Sequence, residues 1–286
     1  MDVVAGLDLR GQVILGTGAD SGIGFETARA IASTGARVHL GTLNDASGEA
    51  ARQRIVASDP GADVIPFRCD LSRLSDVRRA AAALPEEKLH AVVCNAGVYG
   101  GPYRRTDTGL EWTLGICHVG HAALVLALRD RLVAGSPSRV VCVSSDNHRW
   151  PASVDIDALP VDEAGYSELV GYGHAKLCVV LFARALDSRW RASGVRANSL
   201  HPGDLISTGI DKDSWLLRMT MTLARPFART AASAACTSTW LATAPEAAAL
   251  GGGYFYNGVL KEPSAAARDD HKAERLWQRT LEWTAL

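Results

Sequence analysis

Apolar and polar positions fall into two kinds of block along this chain. Short apolar runs end at glycine or a polar turn, and longer segments between them carry apolar residues three and four apart. "QVILG" at 12–16, "RVHLG" at 37–41 and "DVIPF" are of the first kind and read as buried strands. "GIGFETARAIASTGA" is of the second kind, with Ile23, Ala28 and Ile31 spaced for one helix face and Gly35 as its stop. "ASGEAARQRIVAS" reads as the next helix. The order βαβαβ predicts parallel strands joined by right-handed crossovers.

The alternation continues. "DVRRAAAALP" is helical and "HAVVCNAG" is a strand ending at a turn. "GLEWTLGICHVGHAALVLALRDRLV" reads as one long helix, and "SRVVCVSS" at 138–145 as a strand. A mostly polar connection spans 146–170, and a connection of that length after a strand's carboxyl end often helps to build a site. A helix over 171–193, the strand "VRANSL" and the turn "HPG" follow. "AASAACTSTWLATAP" is helical, and "GGGYFYNG" reads as a last strand between glycine turns. Repeats, low-complexity stretches and linkers are absent. The expectation is an α/β fold: a single Rossmann-type domain over 1–286, with a doubly wound parallel β-sheet flanked by helices.

Composition narrows the function. Hydrophobic residues make up 47% and charged residues 21%, with a net charge of −1. This is a globular balance, and nothing in it favours nucleic acid or an anionic lipid surface. The cysteines, Cys69, Cys94, Cys117, Cys142, Cys178 and Cys236, are scattered with no CxxC pair, so no metal site is expected. Reduced structural thiols in a cytoplasm are the natural reading. The first residues lack a basic flank before an apolar core, and no apolar run reaches the ~18 residues of a membrane span. Neither a signal peptide nor a membrane span is expected.

Chemistry concentrates at strand ends. "GTGADSGIG", 16–24, joins the first strand to the first helix. Its glycines let the backbone approach a pyrophosphate, and the helix N-terminus favours the anion. The end of the second strand should meet the adenine ribose, where an acid marks NAD and an arginine marks NADP. Gly41, Thr42, Leu43 and Asn44 stand there and supply neither marker. Asp20 would repel an added phosphate, so NAD is favoured slightly over NADP. Asp70 in "CDL" suits either the adenine edge or an ordinary turn. Tyr172 and Lys176 are four apart and share a helix face. An ammonium beside a phenol favours the phenolate and so lowers the phenol's pKa. Such a phenol can exchange a proton with an alcohol or ketone oxygen. Ser144 and Ser145 end a strand at the same edge.

In order the chain carries TGxxxGIG, Asn95-Ala96-Gly97, Ser-Ser, YxxxK and Pro202-Gly203. With "VVCNAGV", "HVGHAAL", "YGHAKLCVVLFARAL" and "SLHPG", it resembles the short-chain dehydrogenase/reductase family, in its retinol-dehydrogenase-like and WW-domain-oxidoreductase-like branch. The resemblance covers about residues 10–280. It implies an NAD(P)-dependent interconversion of carbonyl and alcohol. Tyr172 would be the general acid/base, Lys176 its tuner and a nicotinamide-ribose ligand, and Ser145 the substrate-positioning hydroxyl. The cofactor would lie on Gly18, Asp20, Ser21, Gly22, Ile23, Gly24, Thr42, Leu43, Asp70, Leu71, Asn95, Ala96, Gly97, Tyr172, Lys176, Pro202, Gly203 and Ser207, with Thr208 the alternative to Ser207.

One departure stands out. Cys117 occupies the position where the family carries an asparagine that supports a proton relay. The relay survives through the backbone carbonyl, or is rebuilt with His118 or another polar group, or turnover is slowed. His148 and His174 read as polar structural residues, although His148 lies close enough in sequence to Ser145 to reach the cleft. Residues 204–226, with Trp215, Leu216, Leu217, Met219 and Met221, read as a lid over an apolar substrate or as packing surface. Trp150 would supply the opposite wall. The expected partner is a fairly large hydrophobic alcohol or carbonyl compound, within a homo-oligomer (dimer or tetramer). Reduction of C=C or C=N on the same scaffold, and a non-catalytic cofactor-binding role, are the alternatives.

Overall fold

The computed structural model describes residues 3–150, 154–203 and 230–285. The strands are β1 (Val13–Thr17), β2 (Arg37–Thr42), β3 (Val64–Arg68), β4 (Ala91–Cys94), β5 (Ser138–Val143), β6 (Val195–His201), β7 (Tyr254–Tyr256) and β8 (Val259–Lys261). They form one sheet in the order β3-β2-β1-β4-β5-β6-β7-β8, parallel except for β8, which runs antiparallel to β7. The chain leaves β1 toward β2 and β3 and returns to the other side of β1 with β4. This reversal opens a crevice beyond the carboxyl ends of β1 and β4, where ligands bind in such sheets.

Helices α1 (Gly22–Ala32) and α2 (Asp45–Ser58) cover one face, together with α8 (Ala231–Thr243). Ile31, Ile55 and Leu241 belong to that layer, and Thr27 Oγ1 meets Ser238 Oγ at 2.8 Å between α1 and α8. On the other face lie α3 (Leu74–Ala83), the central helix described next, α7 (Glu168–Trp190) and α9 (Asp270–Thr284). Both faces of the inner strands are therefore covered, which is why "AVVC" of β4 is apolar at every position. Helix α7 is long and apolar enough to cross a membrane by length and composition alone, but it is sandwiched between the sheet and α9, with 72% of that window buried. Its Phe182 ring stacks on Trp277 of α9 at 5.8 Å, and Arg184 pairs with Asp270 at 2.7 Å.

The structure differs from the pattern-based expectation in three places. The central segment is not one helix. It consists of α4 (Trp112–Leu114), a π-helical stretch Gly115–Gly120, α5 (His121–Ala127) and, after Leu128, α6 (Arg129–Ala134). Tight packing accompanies the irregularity at both ends. A Cβ on Gly115 would lie 2.4 Å from Thr106 Cγ2, and one on Gly120 would lie 2.3 Å from the Leu71 carbonyl. π-helical turns of this kind gather at functional sites. Second, α7 begins at Glu168 because the Ser167 hydroxyl caps it, accepting from the Val170 N–H at 3.3 Å. Third, β8 and α9 were not anticipated. Asn257 and Gly258, at φ 52° and 72°, turn β7 into β8. Asn-Gly is the strongest short hairpin signal. In α9, Ala273, Leu276, Trp277, Thr280 and Thr284 form a single buried stripe behind the Asp269 cap.

Candidate active site

The β1–α1 turn needs its glycines. Gly18 and Gly22 have φ of +64° and +55°, the left-handed region that favours glycine. A Cβ on Gly24 would meet the Gly18 carbonyl at 2.1 Å and Asn95 Nδ2 at 2.4 Å, so only glycine lets α1 close onto the turn. Ser21 stands at the helix N-cap without a side-chain capping hydrogen bond, which leaves first-turn N–H groups available to an anion.

Beyond this turn opens a cleft of about 570 Å³. Gly18, Asp20, Ser21, Gly22 and Ile23 line it, as do Thr42 and Leu43 after β2, Asp70 and Leu71 after β3, and Asn95, Ala96 and Gly97 after β4. Tyr172 and Lys176 from α7 and Pro202 after β6 complete the expected set. Gly24, Gly203, Ser145 and Cys117 are not on its surface: Gly24 packs behind the turn, and Cys117 is buried. Ser207, Thr208 and the 204–226 segment lie outside the described residues. Sequence reasoning missed Thr17, Tyr99, Arg104, Trp112 and Ile116 as lining residues. Thr17 had a signal, being the first residue of the TGxxxGIG motif. The others come from a connection and a helix start whose direction only the fold decides.

At the ribose end, Leu43 is 62% exposed and Asn44 spends its carboxamide oxygen on the Ser47 N–H, capping α2 at 2.9 Å. Asp70 lines the cleft and also closes a turn, accepting from Ser72 N at 3.0 Å and Ser72 Oγ at 2.6 Å. The turn reading of Asp70 is therefore observed, at a position on the cleft surface.

At the other end, Lys176 is buried and donates from Nζ to the Val143 carbonyl at 3.0 Å. Its Nζ lies 5.4 Å from the Tyr172 ring centroid. The two serines separate by function. Ser144 Oγ donates to the Lys176 backbone carbonyl at 2.8 Å and so anchors α7, while Ser145 Oγ donates to Asn147 Oδ1 at 3.3 Å, accepts from the Asn147 N–H at 3.2 Å, and lies near enough to the Tyr172 phenol to favour the phenolate. Tyr99 stands edge-on to Tyr172, with ring centroids 4.8 Å apart at 77°. Burial pushes the Tyr172 phenol above its ordinary value, outweighing Lys176 and Ser145, which pull it down. The ammonium alone would lower the phenol, but desolvation outweighs it. Lys176 itself is pushed down by burial, but its neighbours Tyr172 and Cys117 favour the cation and carry it above the ordinary lysine range.

Several other expectations resolve here. Cys117 is a buried thiol raised by desolvation, its Sγ 3.7 Å from the Val98 carbonyl, and it is no nucleophile. His118 does not rebuild the relay: its ring faces α9 and meets Thr280 Oγ1 at 2.9 Å. His148 does not reach the cleft either. It is fully buried, with Nδ1 donating to the Ser145 carbonyl at 2.8 Å and Nε2 accepting from Ser264 N at 3.0 Å. His174 is absent from the cleft surface, and Trp150, 65% exposed, does not form its wall.

The residues present fit a nicotinamide dinucleotide. Left-handed glycines and uncapped N–H groups would hold its phosphates, and the exposed Leu43 would border its ribose. The buried Lys176 ammonium has donors beyond its one hydrogen bond among the described residues. A largely parallel sheet with this cleft at its switch point defines a nucleotide-binding α/β fold.

Comparison with known proteins makes the class specific. The model of the family described as short chain dehydrogenase matches residues 12–155. The WW domain-containing oxidoreductase of Danio rerio is 40% identical over 286 residues, covering 97% of this chain and 69% of that protein. Human retinol dehydrogenase 12 is 38% identical over 282 residues, covering 96% of this chain and 87% of that protein. Among solved structures, an uncharacterized protein from Mycobacterium paratuberculosis superimposes with a TM-score of 0.80 at 28% identity, over 99% of this chain and 97% of that one. The chain belongs to the short chain dehydrogenase family and is an NAD(P)-dependent dehydrogenase/reductase.

Proposed function

We propose that this protein interconverts a carbonyl and an alcohol on a fairly hydrophobic small molecule, with Tyr172 as general acid/base. The observation that carries the reading is the pairing of Tyr172 and Lys176 at the end of the cleft that begins at the phosphate turn, with Ser145 behind the phenol. A bound nicotinamide supplies hydride chemistry. The protein's own groups hold the substrate oxygen and move its proton.

Ser145, near the phenol, positions the substrate oxygen beside Tyr172. Burial keeps Tyr172 protonated near neutral pH, so it enters the reductive direction as an acid. Lys176, a buried cation, stabilises the phenolate once that proton has left. Its remaining N–H donors bond the cofactor ribose. Tyr99, Trp112 and Ile116 offer an apolar wall, which suits a hydrophobic substrate. NAD is favoured over NADP, because Thr42 and Leu43 bring no cation to the ribose and Asp20 shares the cleft. A cytoplasmic setting accords with the buried free thiols at Cys69, Cys94, Cys117, Cys142 and Cys178.

The test is a titration of the purified protein with NADH and with NADPH, followed by nicotinamide fluorescence. A panel of apolar ketones and aldehydes then follows with the tighter coenzyme. Tighter binding of NADH and turnover of the panel are expected. Binding of neither coenzyme would sink the reading.

A further inference from the structure

The central helix carries a second histidine that the chemistry above does not use. His121 is 4% exposed, and its neighbours determine where its proton sits. The Cys117 carbonyl can only accept, so His121 Nδ1 donates to it at 3.1 Å. His121 Nε2 lies 2.8 Å from Thr17 Oγ1. That oxygen accepts two backbone N–H groups, from Asn95 at 2.9 Å and Ala96 at 3.0 Å. Its own hydrogen has two acceptors within reach, Nε2 at 2.8 Å and the Val93 carbonyl at 3.4 Å, and the shorter contact takes it, leaving the imidazole neutral. Burial and the nearby Lys176 ammonium both oppose a cation at this place, pulling the imidazole down to about 4.

The bonds run in one direction: from the Asn95 and Ala96 N–H groups to Thr17, from Thr17 to His121, and from His121 to the Cys117 carbonyl. They tie the β4 turn to the π-helical stretch, and both flank the proton-transfer pair. A Cβ on Gly97 would lie 3.6 Å from Lys176 Nζ and 3.5 Å from Cys117 Sγ.

We propose that His121 is a positioning residue for the reaction: a neutral Nδ1–H imidazole that locks the Asn95–Gly97 turn and the Cys117 backbone around Lys176. The proposal rests on the reading of Tyr172 and Lys176 as the proton-transfer pair. It also accounts for cysteine at position 117. The imidazole holds the Cys117 carbonyl, a backbone group, so the geometry at that point does not depend on the side chain.

The test compares His121→Phe, His121→Gln, Thr17→Val and Tyr172→Phe in the full chain, together with ¹⁵N NMR of the imidazoles. His121→Phe should lower kcat roughly ten- to a hundredfold, as a misplaced catalytic group does. It should also shift the pH profile of kcat and leave NADH affinity within about threefold, a split that simple loss of folded protein does not produce. His121→Gln, whose Oε1 can still accept from Thr17, should recover part of the loss. Thr17→Val should reproduce the loss without adding to it in the double variant, and it serves if His121→Phe does not fold. The NMR should show Nδ1 protonated and Nε2 bare at pH 7. An Nε2–H tautomer, or His121→Phe with wild-type kcat and pH profile beside an inactive Tyr172→Phe, overturns this proposal alone. A fully active Tyr172→Phe overturns the functional reading and this proposal with it.

Discussion

The two sides of the π-helical stretch make an informative pair. His118 and His121 lie three residues apart, both buried and both held neutral by desolvation, at about 3 and about 4. On the outer side, His118 bonds Thr280 and stands among the rings of Phe182 and Trp283, with centroids at 5.4 and 6.3 Å. On the inner side, His121 bonds Thr17, the last residue of the strand that leads into the phosphate turn. Residue type, burial and protonation state are the same. What differs is the element across the gap, a packing helix in one case and the strand that leads into the phosphate turn in the other. A buried histidine acquires its role from its partner.

The largest effect belongs to the inner side. Tyr172→Phe should cut kcat by roughly 10²- to 10⁴-fold while leaving coenzyme affinity and melting temperature nearly unchanged, read by steady-state kinetics and thermal unfolding. Wild-type turnover in that variant would remove the catalytic meaning of the inner side. The outer side should answer the other way. Trp277 is 8% exposed, stacks on Phe182 and lies under the Arg189 guanidinium at 4.5 Å. Trp277→Ala should cost about 3–5 kcal/mol in urea unfolding, with kcat per folded molecule preserved. A kcat loss equal to that of Tyr172→Phe would erase the distinction between the two sides.

Acid should act on both sides together. The unfolded chain protonates these histidines near 6.5, whereas the folded chain resists until about 4 for His121 and about 3 for His118. Below 6.5 the unfolded state binds more protons, so stability falls as pH falls. Each histidine contributes a slope of up to about 1.4 kcal/mol per pH unit, flattening once its folded value is passed. Urea midpoints from pH 7 down to 4.5 should decline, and His118→Phe should remove one share of the slope. The smallest effect sharpens the inner side alone. Leu43→Arg should raise NADPH affinity by roughly five- to tenfold over wild type, as one charge-assisted phosphate contact would, without moving the melting temperature. Unchanged NADPH affinity would mean that Leu43 does not border the 2′ position.

Much of the fold was legible because strand and helix periods differ, and β1 to β7 were all recognisable as apolar runs between turns. The phosphate turn and the Tyr172–Lys176 pair were legible as spacings. The hairpin into β8 and helix α9 also carry readable signals, Asn257-Gly258 and the stripe from Ala273 to Thr284. The break in the central helix had only two glycines to announce it. The packing that accompanies it, of Gly115 against Thr106 and Gly120 against Leu71, is long-range in part and invisible to a local pattern.

By itself the sequence determined the alternation of elements, the parallel sheet, the glycine turn and the order of the chemistry-bearing residues. These follow from local periodicity, and from side chains whose function depends on spacing along a single element. Tertiary structure decided that Ser144 anchors α7 while Ser145 pairs with Asn147, that burial outweighs Lys176 at Tyr172, and that His118 faces a packing helix while His121 faces β1. Those outcomes turn on desolvation and on partners far away in the chain: Thr17 is 104 residues from His121, and Thr280 is 162 from His118. Distances of that kind are set by how whole elements pack.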